Sequence, residues 1–137
     1  MRHKIGFTCS CFDLFHAGHV AMLEEAKHNC DHLIVGIQID PSKERDKKNK
    51  PIQGIVEREV QVRGCKFVDE IIVYETENDL RLILEILPID IRFLGQEYKE
   101  RGFTGNDICK EKEIEIYYNH RLHGFSSSEL KERIKND

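Results

Sequence analysis

Five short apolar segments, each followed by a stretch with a different period, limit what this 137-residue chain can fold into. Residues 5–9 (Ile-Gly-Phe-Thr-Cys) read as a buried strand, and Val20, Leu23 and Ala26 then recur at helical spacing. Residues 32–39 form a second, strongly apolar strand. A helix over 56–65 leads to a strand at 70–74. Leu80, Ile83, Leu84 and Leu87 fall at i, i+3, i+4 and i+7, so a third helix is predicted, stopped by Pro88. Strands at 91–95 and 114–118 follow, and Ser126-Ser127-Ser128-Glu129 is a capping-box sequence opening a last helix to Lys135.

Apolar strands alternating with helices need a sheet covered on both faces. The expectation is a Rossmann-like, doubly wound parallel α/β sheet of five strands, with residues 1–137 as one domain. In such sheets ligands sit beyond the carboxyl ends of the strands, where the strand order reverses. Four segments lie just after strands: 11–19, the loop at 43–50, 95–98 and 120–128. Neither GxGxxG nor GxxxxGK[ST] occurs, which argues against a dinucleotide oxidoreductase and a P-loop NTPase.

The first of these segments carries His16-Ala17-Gly18-His19 at a strand-to-helix junction. Backbone N–H groups and the positive end of a helix dipole converge there, which suits phosphate. Gly18 leaves room for close backbone approach, and imidazole N–H groups can follow charge that builds at phosphorus. Two surface histidines at a helix end, or a zinc pair lacking its other ligands, are the competing readings. Asp13, in Cys11-Phe12-Asp13, is either a turn residue or an orienter of a histidine or hydrated metal ion. Phe12 anchors the turn in the core.

A net charge of −4 argues against a general nucleic-acid binder. Residues 43–50 nevertheless carry five positive and two negative side chains. Such a loop is either simply solvated or placed to neutralise a triphosphate and its pyrophosphate leaving group. Arg58 either pairs with an acid on its helix or fixes the loop. Arg81 is a surface helix residue or reaches an acceptor phosphate. At the other end, Arg121-Leu122-His123-Gly124-Phe125-Ser126-Ser127-Ser128 is either an ordinary serine cap or a second phosphate cradle. The five cysteines are scattered with no CxxC pair, so free thiols in a reducing compartment are expected. No membrane span or signal-peptide pattern is found, and a cytoplasmic location is expected.

With HxGH after the first strand, lysines in the loop after the second, and RxxGxSSS before the last helix, the chain resembles the cytidylyltransferase family, and within it the small bacterial glycerol-3-phosphate cytidylyltransferases. The resemblance implies that CMP passes from CTP to a small phosphorylated alcohol, glycerol 3-phosphate first among them, with release of pyrophosphate. It implies catalytic roles for His16, His19, Lys47 or Lys48, and Arg121. It places Cys11, Phe12, Asp13, Gly18, Asp40, Arg58, Gly95, Gln96, Glu97, Tyr98, Gly124, Phe125, Ser126, Ser127 and Ser128 around the nucleotide. Lys47 and Arg81 would serve the acceptor. Mg²⁺ would accompany CTP with no dedicated protein ligands, and the enzyme would be a homodimer.

The chain departs from the family's usual residues at Ser10-Cys11 (Gly-Thr), Gln96-Glu97-Tyr98 (Asp-Asp-Trp) and Leu122-His123 (Thr-Glu). Alternatives are ethanolamine, choline or another polyol phosphate as acceptor, transfer of AMP to a sugar or pantetheine phosphate, and a non-catalytic nucleotide sensor on the same fold.

Overall fold

The computed structural model describes residues 3–120 and 123–136. Strands β1 (Ile5–Ser10), β2 (His32–Gln38), β3 (Glu70–Tyr74), β4 (Ile91–Leu94) and β5 (Glu115–Tyr118) make one parallel sheet in the order β3-β2-β1-β4-β5. The chain winds outward from β1 in one direction and then restarts at β4 on its other side. The switch point therefore lies between β1 and β4, as expected for a doubly wound sheet.

Side-chain alternation divides the core in two. Phe7, Ile34 and Tyr74 face α3 (Glu77–Ile86) and α5 (Asn106–Glu111), meeting Leu80, Ile83, Leu84, Ile108 and Cys109. Leu33, Val35, Ile37 and Phe93 face α1 (Ala17–Lys27) and α2 (Ile55–Arg63), meeting Leu23, Ala26 and Val62. Helix α3 starts where Thr76 Oγ1 accepts from Asp79 N and ends before Pro88, as its periodicity indicated. Helix α6 (Ser127–Lys135) starts at the expected serine cap, Ser126 Oγ accepting from Glu129 N at 3.1 Å.

The main departure lies between β4 and β5. Two short helices, α4 (Tyr98–Arg101) and α5, occupy a span in which the apolar pattern gives no helix. Helix α5 begins at Gly105, whose φ of 84° lies in the left-handed region; a Cβ there would stand 2.3 Å from Leu84 Cδ1. Glycine is thus required twice over at that corner. No helix among the described residues is long and apolar enough to cross a membrane.

Candidate active site

His16 is the N-cap of α1, with extended backbone (φ −140°, ψ −179°). Its Nδ1 accepts from Gly18 N at 3.0 Å, while its own backbone N–H donates to His19 Nδ1 at 3.1 Å. Both Nδ1 atoms are therefore acceptors, so each ring is neutral with its proton on Nε2. Two orphan N–H groups at the helix start are consumed, and two imidazole N–H donors are created. The rings lie 3.9 Å apart between centroids, and Phe15 stacks on His19 at 5.4 Å. Burial, with His16 adding to it against an opposing effect of Asp13, lowers the His19 pKa to about 4. A Cβ on Gly18 would come within 2.8 Å of His16 Cε1 and 3.0 Å of Phe125 O. The glycine thus makes the ring geometry possible.

The loop entering α1 is held by groups that act from outside the cavity. Arg58, on α2, is 2% exposed. Its Nη1 donates to Cys11 O (3.1 Å) and Gln38 O (2.6 Å), its Nη2 to Ile39 O (2.6 Å) and its Nε to Gln53 O (3.1 Å). It ties the ends of β1 and β2 together, which corrects the expectation of a nucleotide contact. Asp13 is likewise committed: its two carboxylate oxygens accept from Ile52 N and Gln53 N, each at 2.9 Å. Asp40 caps a 3₁₀ turn (Pro41–Lys43) by accepting from Ser42 N and Ser42 Oγ. Phe12 is buried in the core at a φ of 54°. All four are positioning residues rather than walls of the site.

A cavity of about 390 Å³ opens over the carboxyl ends of the strands. His16, Gly18 and His19 line it together with Cys11, Lys48, Phe125, Ser126 and Ser127, and residues 95–98 form another wall. Ser127 Oγ donates to Asp13 O at 3.2 Å, joining the two motifs across 114 positions of sequence. The N-termini of α1 and α6 thus meet over one space, as the sequence led us to expect.

Several expected residues fall elsewhere. Lys47 is exposed and off the cavity wall; Lys48 takes that place because the loop turns between them. Gly124 and Ser128 are exposed and do not line it. Arg81 makes a two-pronged pair with Asp107 at 2.9 Å for each bond, between α3 and α5, and its head group is away from the cavity. Arg121 and Leu122 lie outside the described residues.

The cavity also contains groups that motif reading passed over. Arg45, from the basic loop, pairs with Glu77 at the start of α3. Tyr74, Arg92 and Asn119 line the cavity while buried. Glu25 accepts from the Tyr117 hydroxyl (2.8 Å) and from His120 N (2.9 Å), closing the α1 side. Arg92 was the most visible in advance, as a charge inside the apolar run Ile91-Arg92-Phe93-Leu94.

The description of the family model that matches residues 7–133 is "Cytidylyltransferase-like". The chain is 38% identical over 107 residues to the bifunctional protein HldE of Granulibacter bethesdensis, covering 77% of this chain and 22% of that protein. It is 36% identical over 133 residues to the bifunctional protein HldE of Campylobacter jejuni subsp. jejuni serotype O:6, covering 96% and 28%. It therefore spans roughly a quarter of the length of these curated relatives. Among solved structures, a lipopolysaccharide core biosynthesis protein from Thermoplasma volcanium shares the fold with a TM-score of 0.70 at 23% identity, covering 89% of this chain and 100% of that one. Pantothenate synthetase from Thermus thermophilus shares it with a TM-score of 0.64 at 12% identity, covering 96% and 64%.

Proposed function

The chain belongs to the cytidylyltransferase-like family, and from that premise we propose that it transfers CMP from CTP to the phosphate of a small phosphorylated alcohol, with glycerol 3-phosphate as the reference acceptor. An acceptor phosphate oxygen attacks the α-phosphorus. The bond from that phosphorus to the bridging oxygen breaks, and pyrophosphate leaves in line. A phosphate monoester is already ionised near neutral pH, so the nucleophile needs no general base. That matches two imidazoles whose Nδ1 atoms accept from the backbone and whose protons sit on Nε2, the donor position. His16 and His19 act as hydrogen-bond donors to the α-phosphate, stabilising charge as it builds. Lys48 neutralises the departing pyrophosphate, and the α6 N-terminus with Ser126 and Ser127 holds the nucleotide.

The observation that carries this reading is the shared cavity: both histidines and the start of α6 line one space, tied by the Ser127–Asp13 bond. Mg²⁺ fits as an ion brought in on the triphosphate. No three His, Cys, Asp or Glu side chains cluster as a metal site among the described residues, Glu97 on the cavity wall offers one carboxylate, and Mg²⁺ keeps most of its positions for water and phosphate. When bound, it supplies charge neutralisation on the phosphates.

A second reading, transfer of AMP from ATP to a sugar phosphate, is favoured by the similarity to the HldE proteins. The replacement of the usual cytidylyltransferase residues at Gln96, Glu97 and Tyr98, which line the cavity, points the same way. Pyrophosphate release with each of the four nucleoside triphosphates, against phosphorylated polyols and sugars, separates the two. Nucleotide binding without pyrophosphate from any pair would mark a sensor instead. The same reading carries a homodimer in the cytoplasm, which sedimentation of the purified chain tests for assembly.

A further inference from the structure

Two buried polar atoms on the cavity wall have no partner among the described residues: Asn119 Oδ1 and Arg92 Nε. The chemistry above makes no use of the second. Arg92 is 2% exposed, and its register opposite Phe7 puts its side chain on the α3 face of the sheet. Cys9, Gln38 and Tyr74, on the same face of neighbouring strands, line the cavity with it; Leu80, Phe103 and Thr104 complete this chamber. It lies across β1 from the face on which α1 packs.

The guanidinium is incompletely satisfied there. Nη1 donates to Thr104 O, the Cys109 thiol lies against it, and the Phe103 ring centroid is 5.0 Å away. None of the ion pairs among the described residues includes Arg92. Arg45 engages only Oε1 of the Glu77 carboxylate; Oε2 is a further buried atom without a partner among the described residues, and no ion pair joins it to Arg92. Tethering Thr104 O needs one neutral donor, not a charge. A buried cation without a counter-charge is costly, and a planar guanidinium is built to receive an oxyanion on two N–H groups.

We propose that Arg92 selects the acceptor. The α3-side chamber takes the end of the acceptor remote from its reacting phosphate, and that end carries a second oxyanion, a carboxylate or another phosphate, held by Arg92. This rests on the transferase reading and narrows its substrate class from phosphorylated alcohols in general to those that carry a second anionic group.

The test is a pyrophosphate-release assay with CTP and with ATP. It uses three- to seven-carbon polyol phosphates, each paired with its counterpart bearing a terminal carboxylate and with one bearing a second phosphate. Wild-type protein should favour one series with a second anionic group over the plain polyol phosphates by about 10- to 100-fold in kcat/KM, and which series wins identifies the oxyanion. Arg92→Gln should bring that ratio close to one by raising KM for the acceptor while leaving KM for the nucleotide unchanged. Arg92→Lys should restore part of the preference. Equal or better use of plain polyol phosphates by the wild type overturns the proposal even if Arg92→Gln does not fold. So does a variant that loses activity equally on all acceptors, since that is the mark of a purely structural arginine. Pyrophosphate with plain polyol phosphates alone overturns this proposal and leaves the transferase reading standing, whereas none with any pair removes that reading and this one together.

Discussion

The backbone N–H of His16 donates to Nδ1 of His19 at 3.1 Å, so the second histidine of the motif is fixed by the main chain of the first. Helix capping and tautomer control are here a single interaction. It leaves His19 neutral, with its remaining proton on Nε2, throughout the physiological range.

Replacing His16 separates capping from catalysis. His16→Asn keeps a good N-cap residue and should leave the melting temperature within a few degrees of wild type, while kcat falls by about 10²–10³. His16→Ala should lose a similar factor in kcat and, in addition, about 1 kcal/mol of stability. Steady-state kinetics beside thermal unfolding checks both. Near-wild-type turnover in either variant removes the assigned role.

The low His19 pKa, about 4, has a consequence for stability. The unfolded chain takes up this proton near the ordinary value of 6.5, the folded chain only near 4. Between those values the unfolded state binds more protons, so stability rises with pH across the window and falls as acid is added, by up to about 3 kcal/mol. Denaturant unfolding at about pH 4.5 and about pH 7 should show a smaller difference in His19→Gln than in wild type. An equal difference in both would contradict a buried neutral imidazole.

Gly18→Ala tests the close approach. Alanine is worth about 1 kcal/mol more than glycine in a helix interior, yet its Cβ would crowd His16 Cε1 at 2.8 Å. Stability should change little, and kcat should fall at least about tenfold as the ring is displaced. Unchanged kcat would show that the ring position does not matter.

The two lysines of the basic loop should differ. Lys48→Ala should lower kcat/KM by about tenfold or more, because only Lys48 lines the cavity; Lys47→Ala should have an effect of less than about twofold. The reverse order would show that the loop adopts another arrangement when substrate binds.

Two arginines should respond in opposite ways. Arg58→Met leaves the carbonyls of Cys11, Gln38, Ile39 and Gln53 without their donor and should cost about 3–5 kcal/mol in chemical unfolding. Arg81→Ala removes a surface pair and should leave the unfolding midpoint close to that of wild type, with activity unchanged.

The contrast between those arginines shows what was legible in the sequence. Strand β2 is a nearly continuous apolar run and the others are shorter apolar segments carrying one or two polar residues, so the sheet could be read directly. The two motifs proposed to hold phosphate were readable because each is local to a strand-to-helix junction. For Arg58 and Asp13 two roles each were left open, and the structure takes the loop-fixing and the turn role; only the nucleotide contact implied by the resemblance fails, because their partners are backbone groups, some of them brought near only by the fold. Arg81 takes the surface-helix reading rather than the acceptor contact, and its pairing was not legible for a related reason. Its partner Asp107 sits on α5, a helix of one and a half turns whose only buried residues, Ile108 and Cys109, are adjacent and show no period. Arg92 broke the apolar pattern of its strand, which is a signal that motif matching does not weigh.

On the proposed reading one cavity holds a single triphosphate between the histidine pair and the start of α6, for attack at the α-phosphorus. Incubation with CTP or ATP labelled at that phosphorus, together with the phosphorylated acceptor panel, measures it most directly. The account predicts that the label moves to a new nucleotide-linked product while the released pyrophosphate stays unlabelled, and that His16→Asn slows this by at least about 10². Label found only in free nucleotide, or transfer of the terminal phosphate in its place, would contradict it.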